Sequence, residues 1–197
     1  MQKAGILHIQ RGFTLVEMMV TIAVLVILAS LAVPGLQAFT TRSGMNAIRD
    51  DFSIALQRAR LDAISRNTCV SICQLAEGKT DACATTGLGK WHSGWVVYAN
   101  PDCSGAVPVA ALDNAAVIAV RQPGDARFEL NFVGEDATPP GIVTFDPRGT
   151  VLGTPFTVRV TDARDKDSAL SREIAINRQG RVAVRPASSD SGGGTVQ

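Results

Sequence analysis

The sequence holds little of what catalysis or metal binding draws on. Two histidines, His8 and His92, stand far apart in 197 residues, which argues against a histidine-based metal or catalytic cluster. No glycine-rich phosphate loop, HExxH or GxSxG pattern occurs, and no Ser/His/Asp set or paired carboxylates stand out. The expectation is a protein that is not an enzyme, with no catalytic residue, no metal and no cofactor. Charge is also scarce in the net sense: 19 Lys+Arg against 18 Asp+Glu give a formal charge of +1. A globally basic nucleic-acid binder is not indicated, although a local patch is not excluded. The most conspicuous absence is local, because no charged residue occurs from Met18 to Thr41.

That uncharged run is long enough to cross a bilayer, for which about 20 apolar residues suffice. Three readings of it compete. A cleaved secretory signal fits the basic start (Lys3, Arg11), but the run exceeds the usual apolar region of roughly 7–15 residues. No small-x-small site closes it cleanly. A plain anchor fits too, with Lys3 and Arg11 on the cytoplasmic side. It leaves Glu17 unexplained, because a carboxylate at the edge of a membrane segment is costly and usually functional. The third reading takes the stretch RGFTLVEMMVTIAVLVILASLAVP as a whole. It resembles the class III signal of type IV pilins and type II secretion pseudopilins.

The resemblance implies that a prepilin peptidase cuts after Gly12 on the cytoplasmic face, that Phe13 becomes the N-methylated first residue, and that Glu17 stays in the mature chain. A glycine before the cut leaves room for close approach to the backbone. An unpaired carboxylate in apolar surroundings costs several kcal/mol or takes up a proton. The new amino terminus of a neighbouring subunit is the natural partner for Glu17, so that pairing sets the stagger of a fibre. A local role is compatible with this: a carboxylate near a helix N-terminus is favoured by the macrodipole.

Beyond the run, Met45, Ile48, Phe52, Ala55, Leu56, Ala59 and Ala63 recur at three- and four-residue steps, the mark of an amphipathic helix. Arg42, Arg49, Asp50, Arg60 and Asp62 fall largely off that stripe. Pro34 is expected to kink or loosen the helix, and SRNT (65–68) to end it. From Cys69 on, short β-branched and aromatic runs alternate with turn residues, as in an antiparallel sheet domain. Candidate strands are CVSIC, GWVVYA, AVIAVRQ, RFELNFV, IVTFDPRG, TVRVTDA, EIAINRQ and GRVAVRP, the last two forming a hairpin around Arg178-Gln179-Gly180. The predicted fold class is α+β: a long N-terminal helix, half transmembrane and half amphipathic, packed on an antiparallel β-sheet domain, pilin-like. The predicted division is a leader over 1–12, a membrane helix over 13–39, an amphipathic helix over 40–67, a periplasmic β-rich domain over 68–186 and a flexible tail over 187–197.

The order of RNTCVSIC, WHSGWVVYANPDCSG, VTFDPRGTV and EIAINRQGRVAV resembles the FimT/GspH-type minor pilins and pseudopilins over nearly the whole chain. Trp91 and Trp95 read as large packers in a small core. Cys69, Cys73, Cys83 and Cys103 all lie in the domain expected to face the oxidising periplasm, and an even count there favours disulfides. Zinc stands behind, because no CxxC pair is present. On a strand Cys69 and Cys73 sit ~13 Å apart, too far to bond each other. If CVSIC pairs antiparallel with GWVVYA, Cys73 lies near the connecting loop and Cys69 at the far end. That nests Cys73–Cys83 inside Cys69–Cys103.

Two functions fit best. One is a minor pilin or pseudopilin that joins other such subunits through its N-terminal helix. It starts as a single-pass protein of the bacterial inner membrane with a periplasmic C-terminal domain, and ends in a type IV pilus or a type II secretion pseudopilus. The other adds double-stranded DNA as a partner. The resemblance to FimT-type proteins implies DNA capture in natural transformation through a C-terminal Gly-Arg-x-Arg motif. Here the motif begins at Gly180-Arg181, but its second arginine falls on Ala183. Residues 181, 183 and 185 share one strand face, so Arg181 and Arg185 are the candidate phosphate ligands, with Arg178 in the turn. The competing account is a solvated edge strand whose arginines guard against aggregation.

Overall fold

The structure, a computed structural model, describes residues 13–133, 140–165 and 170–187. The leader with Gly12 and the tail from residue 188 lie outside the described residues. The chain divides into two compact units, one up to Thr40 and one from Thr41 on.

Helix α1 (Leu15–Arg66) runs as one helical span through residue 34. Its first unit is apolar on all sides and exposed, with Leu15, Val20, Leu25, Leu28 and Leu36 all bare. It is long and apolar enough to cross a membrane. After Thr41 the pattern becomes one-sided. Met45, Ile48, Phe52, Leu56, Ala59 and Ala63 are buried, and Ala55 packs against the same core, as their helical spacing predicts. The helix ends at Arg66, followed by Asn67 in the left-handed conformation (φ 50°), a conformation that asparagine tolerates at a helix end.

Among the described residues nine strands follow, arranged as two antiparallel sheets rather than one. They are β1 (Val70–Gln74), β2 (Trp95–Ala99), β3 (Val117–Arg121), β4 (Phe128–Val133), β5 (Ile142–Phe145), β6 (Val151–Leu152), β7 (Phe156–Asp162), β8 (Arg172–Ile176) and β9 (Val182–Pro186). The first sheet has the order β3-β2-β1-β5-β6 and the second β4-β7-β8-β9. Eight of these strands overlap the sequence candidates; β6 is too short to carry a periodic signal.

Alternation sorts the side chains. In β1, Val70 and Ile72 join the main core with Trp95 and Val97 of β2, while Cys73, Val96 and Tyr98 form a second cluster on the opposite face. In β7, Val158 and Val160 point to the core, and the alternate residue Arg159 points away with Glu173 of β8. Residues from α1 and from both sheets share one hydrophobic cluster. Phe52 is its pivot on the first-sheet side, edge-on to Trp91 at 5.6 Å and to Trp95 at 5.2 Å. Both tryptophans are therefore core residues, and Arg121 caps the Trp95 ring at 4.7 Å.

Candidate functional site

Phe13 is exposed, and Thr14 caps α1. The Thr14 hydroxyl accepts from the Glu17 backbone N–H at 3.2 Å, and the Glu17 carboxylate accepts in return from the Thr14 N–H at 3.5 Å. This is the reciprocal capping box, whose sequence signature is Thr-x-x-Glu. The spacing was visible in the sequence and gives Glu17 a concrete local task. Because Glu17 is also exposed, the carboxylate remains accessible to a second subunit. Gly12 lies outside the described residues.

The cysteines form two disulfides. Cys69 bonds Cys103 across 5.2 Å between Cα atoms, and Cys73 bonds Cys83 across 5.7 Å. The register explains the nesting: β1 pairs with β2 from Val70↔Ala99 to Gln74↔Trp95. Cys73 thus faces the loop that leads to β2, and Cys69 the loop that leaves it.

The three candidate arginines divide. Arg185 lies opposite Glu173 in the β8–β9 ladder, and its guanidinium donates to the Glu173 carboxylate at 3.0 Å. Arg159 of β7 donates to the other oxygen at 2.8 Å. Glu173 is only 1% exposed. Burial pushes its carboxyl up, but the hydrogen bonds and charges of Arg159 and Arg185 outweigh burial and hold it below the ordinary carboxylate range. Arg185 thus pairs with a buried anion through Nε, while its side chain stays 43% exposed.

Arg178 and Arg181 sit in and just after the Asn177–Gly180 turn. That turn closes through the Gly180 N–H to the Asn177 carbonyl at 2.9 Å, and the Asn177 side chain accepts from the Arg181 N–H at 2.9 Å. Gly180 has φ +71° and lies against the Gly149 carbonyl and the Arg60 side chain, where a Cβ would collide. This contact joins a second turn, Asp146–Gly149, to the first. The Val151 N–H donates to the Arg178 carbonyl at 2.9 Å, and Arg60 of α1 donates to the Gly149 carbonyl at 2.9 Å. The junction therefore gathers Arg148, Arg178 and Arg181, all exposed, around Arg60. Among the described residues none of the three exposed arginines forms a salt bridge. Sequence reasoning missed Arg60 and Arg148. The available signal was the pair of Arg-and-Gly turns, Pro147-Arg148-Gly149 and Arg178-Gln179-Gly180, in segments with no local reason to meet.

Among the described residues, no group of three or more His, Cys, Asp or Glu side chains is placed to hold a metal ion. The charged residues instead fasten the fold. Arg127 clamps the buried Asp162 carboxylate through Nε at 2.9 Å and Nη2 at 2.6 Å, and Nη2 also reaches the Thr41 hydroxyl of α1 at 2.6 Å.

A capped apolar N-terminal helix that continues into the core of a disulfide-bonded, two-sheet β domain defines a type IV pilin-like protein. The comparisons specify the family. The family described as "Type II transport protein GspH" matches residues 50–180, and the "Prokaryotic N-terminal methylation motif" matches residues 7–33. The chain belongs to the GspH family. No curated protein matches the sequence. Among solved structures, the chain is similar to the Pseudomonas aeruginosa type IV minor pilin FimU, at 20% identity and TM-score 0.51, over 75% of this chain and 92% of that one. A second crystal form of FimU gives TM-score 0.49 at 20% identity, over 72% and 92%. The minor pseudopilin EpsH of the Vibrio cholerae Type 2 Secretion System gives 0.45 at 11% identity, over 72% and 95%.

Proposed function

We propose that the chain is made as a precursor, cut after Gly12 by a prepilin peptidase, and held in the inner membrane by α1 with its β domain in the periplasm. It then enters a type IV pilus as a minor subunit. The Glu17 carboxylate serves twice, capping its own helix and pairing with the Phe13 amine of a neighbour. The observation that carries this is the Thr14–Glu17 cap directly behind the Gly12-Phe13 bond, at the head of an exposed apolar helix. The helix past the membrane run keeps Ile54 and Leu61 bare on its outer side, and these suit contact with the helices of other subunits.

The finer reading is DNA capture at the junction of the two turns. Arg148, Arg178 and Arg181 offer guanidiniums on a rigid base, the chemistry that binds phosphate without reading sequence. Each phosphate neutralised adds roughly 0.9 to the slope of log affinity against log salt on duplex DNA. The pairing of Arg185 with Glu173 favours the second reading, a pseudopilin of type II secretion with no DNA role. Deleting the gene and scoring surface fibres, protein secretion and DNA uptake separately tests both. Loss of fibres and uptake with normal secretion supports the first. Loss of secretion alone supports the second. A mature chain that begins beyond Ala29 by mass spectrometry overturns the processing common to both.

A further inference from the structure

Three arginines at the junction of the two turns have fixed backbones. The Arg148 N–H donates to the Asp146 carboxylate at 2.9 Å. The Arg178 carbonyl accepts from the Val151 N–H at 2.9 Å, and the Arg181 N–H donates to the Asn177 side chain at 2.9 Å. All three residues are exposed. Arg60 is the opposite case. It is half-buried, and its Nε donates to the Gly149 carbonyl at 2.9 Å. The same nitrogen stands 3.0 Å from where a Cβ would lie on Gly149, and 3.0 Å from where one would lie on Gly180. It therefore sits between the two turns, where glycine leaves room for it. Ile64, one helical turn further along α1, packs against Gly149 as well.

Arg148 comes from the β5–β6 turn, and Arg178 and Arg181 from the β8–β9 turn, so the three belong to different sheets. Their spacing is not set within either turn. It is set by what crosses between them: the Val151–Arg178 bond, and the Gly149–Gly180 contact that Arg60 closes. Phosphates on a stiff duplex have fixed spacing. A cation cluster held at fixed spacing binds them without first having to be ordered, whereas two turns free to drift apart lose part of the affinity to that ordering.

We propose that Arg60 is the positioning residue of the DNA surface: its Nε–H, and not its charge, holds the Arg148 turn against the Arg178–Arg181 turn. The inference deepens the DNA-capture reading above and rests on it. It also makes that surface depend on α1. The helix end from Arg60 to Ile64 has to be seated on the turns for the arginines to stand together, so DNA binding and the seating of this helix end favour each other.

Side-chain chemistry separates positioning from phosphate contact. Glutamine carries its amide nitrogen as many bonds from Cα as the arginine Nε, so R60Q removes the charge and keeps an N–H at that place. R60K keeps the charge and puts a methylene there. The test titrates duplex DNA of mixed sequence against the full chain in neutral detergent, at several salt concentrations. R60Q is expected to bind within about twofold of wild type, and R60K and R60M about fivefold more weakly, the effect of one lost hydrogen bond. The slope of log affinity against log salt should stay that of wild type in all three, whereas R148Q, R178Q and R181Q should each lower it by roughly 0.9. R58Q, on an exposed arginine of α1 paired with Asp62, should change neither. Amide exchange at Gly149 and Gly180 should quicken in R60K and R60M alone, with β1 and β7 still protected. The reverse order overturns the proposal: R60K near wild type, and R60Q weak with its slope lowered by ~0.9, make Arg60 a phosphate ligand. If R60K and R60M lose protection in β1 and β7 too, R60Q decides, and a lowered slope there overturns the proposal. A wild-type chain that binds no DNA at low salt removes the DNA-capture reading itself. Binding that wild type and every Arg60 variant share equally removes this inference alone.

Discussion

The two sheets share one helix and one core, yet each covers its second face by different means. The outer face of the first sheet is roofed by loops: Leu75, Cys83, Val107 and Leu112 pack over Cys73, Val96 and Tyr98. Apart from the single helical turn Trp91–Ser93, those loops contain no helix or long strand to hold them, and the two disulfides fasten them to β1 and its flank. Among the described residues, no second apolar cluster covers the outer face of the second sheet. It carries a row of polar side chains running strand to strand, Asn131, Arg159, Glu173 and Arg185. Irregular chain over an apolar face needs a covalent tie, because it orders little surface of its own. A regular polar sheet face is held by cross-strand pairs.

The contrast predicts different weak points. The largest loss is expected on the first sheet. Replacing Cys69 and Cys103 by alanine opens a loop with a sequence separation of 34 and should cost about 2–5 kcal/mol. Urea unfolding of the soluble domain from Thr41 on measures it. The Cys73–Cys83 pair, separated by 10, should cost less, because a shorter loop loses less closure entropy. If both pairs cost the same, the loops are held by packing rather than by their ties.

On the second sheet, Glu173→Gln removes the shared anion of Arg159 and Arg185 and keeps the shape. The expected loss is about 1.5–3 kcal/mol, the range for hydrogen bonds to charged groups. It should also free Arg185. DNA retention that rises in this variant would mean that Arg185 is held back from phosphate by Glu173, whereas unchanged retention leaves the junction arginines as the DNA surface. The pH dependence has a definite sign. Glu173 and Asp162 both lie below their ordinary values of 4.5 and 3.8; for Asp162 the Arg127 hydrogen bond is the main cause. Their stabilisation is complete above those values and is lost as pH falls through the lower folded ones. In the first sheet, burial pushes the Asp146 carboxyl of the β5–β6 turn up, but hydrogen bonds from Thr150 and Arg148 outweigh it and hold it below its ordinary 3.8 as well. Acid should therefore loosen both sheets at these carboxylates, and amide exchange at the β5–β6 turn and in β8 and β9 at low pH reads it.

Gly180→Ala strikes where the sheets meet through the two turns. The left-handed backbone alone should cost about 1–2 kcal/mol, and the Gly149 carbonyl has to give way. If the arginine junction binds DNA, this change should weaken binding without removing a charge. Retention equal to wild type at low salt would show that the arginines act independently of the junction.

The sequence revealed elements more readily than meetings. The α1 stripe from Met45 to Ala63 follows from spacing alone, because one apolar face must be buried. The nested cysteines follow from one antiparallel pairing. The division into two sheets was not legible: it depends on β1 pairing with β5 and β4 with β7, partners far apart in sequence. Strand parity grouped Arg185 with residues 181 and 183, but parity names a face and not a neighbour. Glu173 could be found only from the register. Arg60 read as an ordinary off-stripe residue, since nothing local shows that two turns converge on it.

The smallest effect expected is at His92, in the single turn Trp91–Ser93 between the first sheet and β4. Burial lowers its pKa below the ordinary 6.5; the charge of Glu129 on β4 works against this and Lys90 adds to it. The unfolded chain therefore takes up a proton before the folded one does. Stability from the neutral ring is present above 6.5 and lost as pH falls from there through the lower folded value. The loss should be less than about 1 kcal/mol, because the ring is half exposed and water screens it. The loss begins at a pH above the window of the carboxylates, so the His92 turn is separable from them by titration. His92→Gln should flatten the upper window and leave the lower one in place. A variant that keeps the full upper slope would assign that slope to another group and remove His92 from the comparison.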